Sequence, residues 1–120
     1  MNRDCLCRIR SLYRAIGAFE HDFQRQFGLN INEAMLLCIV SDRVRISASE
    51  IAEELGLTHS NASKIIAGVE NRRLIVRHAC REDLRCMRFS ITRAGNELLE
   101  RIDCDSVQLP ERLRQLTTDG

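Results

Sequence analysis

A cluster of hydrogen-bonding side chains occupies one short segment near the middle of the chain. Within five positions the sequence places four polar residues, Ser60, Asn61, Ser63 and Lys64. An asparagine carboxamide can bond bidentately to the edge of adenine, whereas hydroxyls and a lysine ammonium commonly bind phosphate. This pattern therefore suits contact with double-stranded DNA, although the same side chains would also solvate an exposed helix.

A second group of charged side chains follows, at Arg77, Arg81, Asp83 and Arg85. Between positions 57 and 93, basic residues outnumber acidic ones by eight to three, although the whole chain has a net charge of only +1. A basic centre is what a phosphate-binding face requires, and a solvated arginine-rich hairpin has the same composition. Arg85 at a hairpin tip would reach a narrow minor groove while Asp83 holds its guanidinium, with a plain surface ion pair as the alternative.

Four of the six cysteines are candidates for redox chemistry. Cys80 and Cys86 flank the predicted hairpin turn, at a separation that a disulfide across the hairpin would need, and Cys5 and Cys7 begin the first helix. Bystander thiols that act as small apolar residues are the alternative. His78 with Cys80 and Cys86 does not have a spacing associated with zinc, so we expect no metal and no cofactor.

Several classes of protein are excluded by what the sequence lacks. It contains no Gly-rich phosphate loop, no HExxH and no GxSxG, so we expect no enzyme activity. No apolar run reaches the about 18 residues of a membrane span, and MNRDCLCRIR lacks the apolar core of a signal peptide. We therefore expect a cytoplasmic protein with reduced thiols and no membrane partner.

The polar cluster lies on the second of two predicted helices that are joined by a tight turn. Ser47 and Glu50 form a capping box at the start of the first helix, and Gly56 ends that helix. Thr58 is the predicted N-cap of a second helix over 58–71. Its buried stripe has helical spacing, at Ala62, Ile65, Ile66 and Val69. Two short helices of this kind are typical of a helix-turn-helix that places its second helix in the major groove.

The other predicted elements surround this pair. They are a long helix over about 3–27, a short one over 35–40, strands over 75–80 and 87–91 that enclose a charged turn at 81–86, a helix over about 93–104 and a last short helix after Pro110. Cys38 lies inside an apolar run and is predicted to pack in the core. The long first helix has apolar residues on more than one face, so either its own chain or a neighbouring subunit must cover them.

The predicted fold is therefore mainly α with a small β-hairpin, a winged helix-turn-helix with a long N-terminal helix and C-terminal dimerisation helices. Over roughly 28–102 the sequence resembles the MarR family of bacterial transcriptional regulators. REDLRCMRFSITRAGNELL is similar to the family's pattern of an acidic residue, a wing arginine, a strand, then Thr-x-x-Gly and two leucines. Asp83 and Arg85 match the acid–arginine pair, and Thr92 and Gly95 match the Thr and the Gly.

The preceding helix pair, SASEIAEELGLTHSNASKIIAGVENRRLI, also resembles the family's helix-turn-helix, and here one residue departs from the pattern. Such proteins usually have Gly before the apolar pair formed here by Leu74 and Ile75, whereas this chain has Arg73. The sequence predicts that the exit from the second helix is closed through Asn71 instead.

The resemblance implies a sequence-specific transcriptional regulator of one domain spanning 1–120. Its DNA-binding core would span about 30–92, and dimerisation helices would lie at about 3–27 and 93–117. A homodimer would place helix 58–71 in the major groove and wing 81–86 in the minor groove of a pseudo-palindromic operator. The regulator would act as a repressor and would respond to a small-molecule effector. Two alternatives stay open: a winged-helix protein-interaction module, and the same regulator with cysteine-based redox sensing.

Overall fold

The computed structural model describes residues 1–79, 87–104 and 109–117. In chain order its elements are α1 (Arg3–Phe27), α2 (Ile31–Asp42), β1 (Ile46–Ser47), α3 (Ala48–Leu55), α4 (His59–Asn71), β2 (Ile75–Ala79), β3 (Met87–Ile91), α5 (Arg93–Cys104) and α6 (Glu111–Thr117). The chain forms two compact units, one of Met1–Asn30 with Ser106–Gly120 and the other of Ile31–Asp105. The predicted mainly α fold is confirmed.

The second unit is a winged helix with a three-stranded antiparallel sheet in the order β1-β3-β2. Phe89 of β3 lies opposite Ile46 on one side and Arg77 on the other. Strand β1 is only two residues long, which explains why period-two alternation does not reveal it in the sequence. We refer to this unit as the winged-helix unit.

Local capping determines where α3 and α4 begin. The Ser47 hydroxyl accepts a hydrogen bond from the Glu50 backbone N–H at 3.2 Å, and the Glu50 carboxylate accepts one from the Ser47 N–H at 3.4 Å. Gly56 ends α3 with a φ of 68°, and the Thr58 hydroxyl accepts from the Asn61 N–H at 3.1 Å. The predicted capping box, stop and N-cap are therefore confirmed.

The core of the winged-helix unit is apolar and is supplied by every helix in it. Its most deeply buried side chains are Leu36, Leu37, Val40, Ile46, Ile51, Val69 and Ile75. Phe89 of β3 belongs to this core on the side of the sheet, with 3% of its surface exposed. Together these side chains hold one face of α4 in place, so that the opposite face remains available.

The expected burial of Cys38 is wrong for this chain, because its side chain is exposed. Helix α2 is apolar on all sides, but its buried positions are Ala34, Leu36, Leu37 and Val40. Cys38 lies about 200° around the helix from Leu36 and about 160° from Val40, so it points away from these two fully buried side chains. An apolar run without a polar face does not reveal which of its members points inward.

The first unit contains α1, whose C-terminal end is buried and whose N-terminal two thirds are exposed. Phe23 and Phe27 are buried, with ring centroids 4.8 Å apart. Helix α6 contacts α1, and its Leu113 is also buried. The apolar residues farther toward the N-terminus are exposed: Leu6, Ile9, Tyr13 and Ile16. Within the described ranges, none of the helices is both long and apolar enough to cross a membrane.

Candidate nucleic-acid interface

Helix α4 presents a polar face to solvent and an apolar face to the core. Its buried side chains are Ala62, Ile66 and Val69, whereas Ile65 of the predicted stripe is only partly buried. The exposed positions are His59, Ser60, Asn61, Ser63, Lys64, Ala67 and Asn71. All four residues predicted to contact DNA on this helix therefore lie on its solvent side, where they can approach a ligand together.

A groove separates α4 from the sheet and brings two of the predicted site residues together. Its volume is about 220 Å³, and its lining includes Ser63 and Ala67 of α4, Arg77 of β2, and Met87 and Phe89 of β3. Ser63 and Arg77 are fourteen positions apart in the sequence yet line the same cavity. The winged-helix fold places β2 directly beside α4.

Arg77 makes close contacts within the protein. Its Nε and Nη2 atoms donate hydrogen bonds to the Glu70 carboxylate at 2.9 and 2.8 Å. On the sheet side, its guanidinium carbon lies 5.4 Å from the centroid of the Phe89 ring. The hydrogen bonds that Arg77 donates to Glu70 raise the pKa of Arg77. The expected phosphate contact of Arg77 stays a prediction.

Glu50 joins the cap of α3 to strand β3 and to the loop after α2. Its carboxylate accepts from the Ser47 hydroxyl at 2.9 Å and from Arg88 Nη1 at 3.3 Å, and it lies 3.8 Å from Arg43 Nη1. The Ser47 hydrogen bonds are the main reason that the pKa of Glu50 is lowered, and the two arginines add to the effect. Arg88 thus has a carboxylate partner, which counting charges along the sequence does not reveal.

His78 of strand β2 also has a neighbour across the sheet. Its Nε2 lies 2.7 Å from the Ser90 hydroxyl oxygen. Val76 is the register partner of Ser90, and His78 is that of Arg88, so the contact is diagonal across the two strands. The hydrogen bond gives His78 a structural role in the hairpin, one that the sequence motifs did not indicate.

The wing and two of the four redox candidates fall in the part of the chain that the structure does not describe. Cys80, Arg81, Asp83, Arg85 and Cys86 lie outside the described residues, so the predicted wing contacts and the Cys80–Cys86 hypothesis stay predictions. Of the remaining candidates, Cys5 and Cys7 are both exposed and take part in no disulfide. The Cys7 sulfur lies 4.0 Å from an Arg10 guanidinium nitrogen, one helical turn away.

The exit from α4 is closed by Arg73, and the expected use of Asn71 is wrong. Arg73 has a φ of 61°, in the left-handed region that glycine favours. Its N–H donates to the Glu70 carbonyl at 2.9 Å, and the Leu74 N–H donates to the Val69 carbonyl at 3.2 Å, which together make a Schellman motif. The motif dictates the conformation at this position whichever residue occupies it.

Replacing Arg73 by glycine should stabilise the winged-helix unit. A left-handed conformation is unfavourable for a residue with a Cβ, and glycine avoids that strain while losing more entropy on folding. The net gain should be about 0.5–1 kcal/mol in the free energy of unfolding, measured by urea denaturation. Arg72, with a φ of −84°, provides the control, because Arg72→Gly should be destabilising. Equal destabilisation by both variants would contradict the account of strain at Arg73.

Comparisons with known proteins agree with this geometry. A family model described as the MarR family matches residues 27–85. The HTH-type transcriptional regulator PapX from Escherichia coli is 31% identical over 101 residues, covering 82% of this chain and 62% of PapX. The chain thus spans less than two thirds of the length of that relative.

Solved structures share the fold. The transcriptional regulator SlyA aligns with a TM-score of 0.73 at 21% identity, covering 84% of this chain and 71% of SlyA. MepR of S. aureus, in a structure described as a MepR–DNA complex, aligns with a TM-score of 0.66 at 19% identity, covering 80% of this chain and 79% of MepR. The match to the family model over residues 27–85 and the similarity to PapX show that the chain belongs to the MarR family.

Proposed function

We propose that this protein is a sequence-specific, double-stranded DNA-binding transcriptional regulator that acts as a homodimer and represses its targets. The observation that carries the proposal is the two-sided α4, whose apolar face is buried while Ser60, Asn61, Ser63 and Lys64 are exposed. A winged helix of this kind lays such a face in the major groove. The similar MepR has been solved with DNA, and PapX is named as a transcriptional regulator.

Each exposed polar residue of α4 has a proposed role. Asn61 reads a base edge, because its carboxamide can both donate to and accept from adenine. Ser60 and Ser63 hold the phosphate backbone near the helix N-terminus, and Lys64 neutralises a phosphate. The wing residues Arg81, Asp83 and Arg85 would add contacts to the minor groove and the backbone, as the family resemblance implies.

A homodimer is supported by the exposed apolar residues of the first unit. Leu6, Ile9, Tyr13 and Ile16 recur every three or four positions along α1, so they form one continuous stripe. Leu116 of α6 adds a further exposed apolar side chain. Covering such a stripe with a second copy removes apolar surface from water, and two half-sites supply the specificity that one winged helix lacks.

Selection of bound sequences from a random duplex DNA pool tests the proposal. We expect an enriched inverted repeat whose half-sites lie about one helical turn apart, or a small multiple of it. Affinity for the selected operator should fall steeply with salt, because every phosphate contact releases counterions. Failure to enrich any sequence, or binding that does not respond to salt, would contradict DNA binding and favour a protein-interaction module instead.

A further inference from the structure

We propose that Arg77 is a positioning residue for DNA recognition. Through its contacts with Glu70 and Phe89, Arg77 fixes α4 against the sheet that leads to the wing. The inference rests on the proposed function and assigns Arg77 a role other than the phosphate contact that its charge suggests. The distinction matters because a positioning arginine and a phosphate-binding arginine respond in opposite ways to changes in their neighbours.

The hydrogen-bond geometry ties together two separate elements. Glu70 lies in the last turn of α4, and Arg77 lies in the middle of β2. Two guanidinium nitrogens meet two carboxylate oxygens at 2.9 and 2.8 Å, a bidentate arrangement that fixes orientation as well as distance. A single-point contact would allow the helix to rotate about it, whereas the paired hydrogen bonds oppose that rotation.

Arg77 makes a second contact, with the aromatic ring of Phe89 on the sheet. Phe89 is the register partner of Arg77 in the central strand and is 3% exposed, so its ring is fixed by the core. The guanidinium lies 5.4 Å from the centroid of that ring, within the range of a cation–π interaction. Arg77 therefore contacts both a carboxylate on the helix and an aromatic ring on the sheet, and lysine could not reproduce this planar pair of contacts.

The role of Glu70 separates the two hypotheses for Arg77. If Arg77 binds phosphate, removing Glu70 should strengthen DNA binding, because it releases the guanidinium and removes a negative charge from the basic face. If Arg77 positions α4, removing Glu70 should weaken operator binding despite the more favourable charge. The sign of one measured change in Kd therefore decides between contact and positioning.

The experiment measures Kd for the selected operator and for random duplex DNA at two salt concentrations. It compares wild type with Glu70→Ala, Arg77→Ala and the double variant. We expect each single variant to weaken operator binding about tenfold. The double variant should bind the operator no more weakly than Arg77→Ala does, because both changes remove the same Glu70–Arg77 interaction. The salt slope should stay unchanged, since no phosphate contact is lost. Tighter binding by Glu70→Ala, or a slope reduced by about one per subunit in Arg77→Ala, would overturn the proposal.

Arg77→Lys provides a second test that retains the charge. It should weaken operator binding as much as Arg77→Ala does, whereas a phosphate-binding lysine would preserve most of the affinity. Glu97→Ala is the matched control, because Glu97 pairs with Arg93 four residues earlier, within the exposed surface of a single helix, α5. Glu97→Ala should not weaken operator binding. If it did so tenfold, the loss in Glu70→Ala could not be assigned to the Glu70–Arg77 pair, and this support for the proposal would fail.

A measurement without DNA keeps this inference distinct from the proposed function. In Glu70→Ala and Arg77→Ala, amide hydrogen exchange should accelerate in the last turn of α4, while Glu97→Ala leaves it unchanged. Failure of wild type to bind any DNA would contradict the proposed function but leave this exchange result interpretable. Unchanged exchange in both Glu70→Ala and Arg77→Ala would show that α4 and β2 are held together without Arg77, and would overturn the inference.

Discussion

Gly95→Ala should lower the free energy of unfolding of the winged-helix unit by about 3 kcal/mol, which corresponds to a fall in Tm of about 10–20 °C. An ideal Cβ at this position would lie 2.3 Å from the Leu74 carbonyl oxygen and 2.7 Å from Cγ1 of Ile91. The first of these neighbours is backbone, and that same oxygen accepts a hydrogen bond from the Thr92 N–H at 3.0 Å. The clash therefore cannot be relieved by a rotamer change, and α5 must move away from the hairpin.

Gly68→Ala provides the matched control, because the same substitution in the same unit should have the opposite sign. At Gly68 the nearest atom to an added Cβ is Oε2 of Glu33 at 3.5 Å, an ordinary contact. Gly68 lies in the interior of α4, where alanine is favoured over glycine by about 1 kcal/mol. Thermal and urea unfolding of the three proteins give the comparison. A Gly95→Ala variant that melts with wild type would mean that α5 does not approach Leu74 as closely as described.

The contacts of Thr92 and Gly95 explain why a Thr-x-x-Gly motif stands at this point of the chain. Thr92 Oγ1 accepts from the Gly95 N–H at 3.1 Å and donates to the Arg73 carbonyl at 2.7 Å. One hydroxyl thus caps α5 and ties its start to the exit from α4. The glycine three residues later is required because the two segments approach so closely there. The sequence predicts a helix that begins at about residue 93, but the hydrogen bond from Thr92 to Arg73 spans nineteen residues and cannot be inferred from local spacing.

The features that were predicted correctly depend on residues three or four positions apart. The Ser47–Glu50 capping box, the Thr58 cap and the end of α3 at Gly56 are all of this kind, and propensity and spacing are sufficient to identify them. The alternation in β3 likewise reveals a half-buried strand. Local rules therefore recover the order of the helices and of strands β2 and β3, and the exposed face of α4, whereas the two-residue β1 escapes them.

The features that were missed depend on partners distant in sequence or on neighbours in space. Arg88 pairs with Glu50, thirty-eight positions earlier, and Arg77 pairs with Glu70 across a turn. Counting basic residues treats every arginine as available to phosphate, whereas the fold gives these two carboxylate partners. The exposure of Cys38 was missed for a related reason, because composition alone does not orient an apolar helix.

Replacing Asn61 by alanine should abolish much of the sequence discrimination while leaving the fold intact. A lost bidentate contact with a base weakens binding to the selected operator by about 10- to 100-fold per half-site, and binding to random duplex DNA should stay within about twofold of wild type. The salt slope should not change, because no phosphate contact is lost. Lys64→Ala is the contrasting variant: it should weaken binding to both DNAs and lower the slope by about one per subunit.

Asn61 contributes only its backbone N–H to the cap of α4, so replacing its side chain should leave the start of the helix intact. The backbone N–H of Asn61, rather than its carboxamide, donates to the Thr58 hydroxyl at 3.1 Å. Alanine at this position retains that hydrogen bond, and it is a better helix former than asparagine, so the start of α4 should persist and Tm should not fall. A lower affinity in Asn61→Ala therefore reports on the DNA contact and not on loss of the helix. Equal losses on operator and random DNA would instead assign Asn61 to the phosphate backbone, and base recognition would then have to come from other residues.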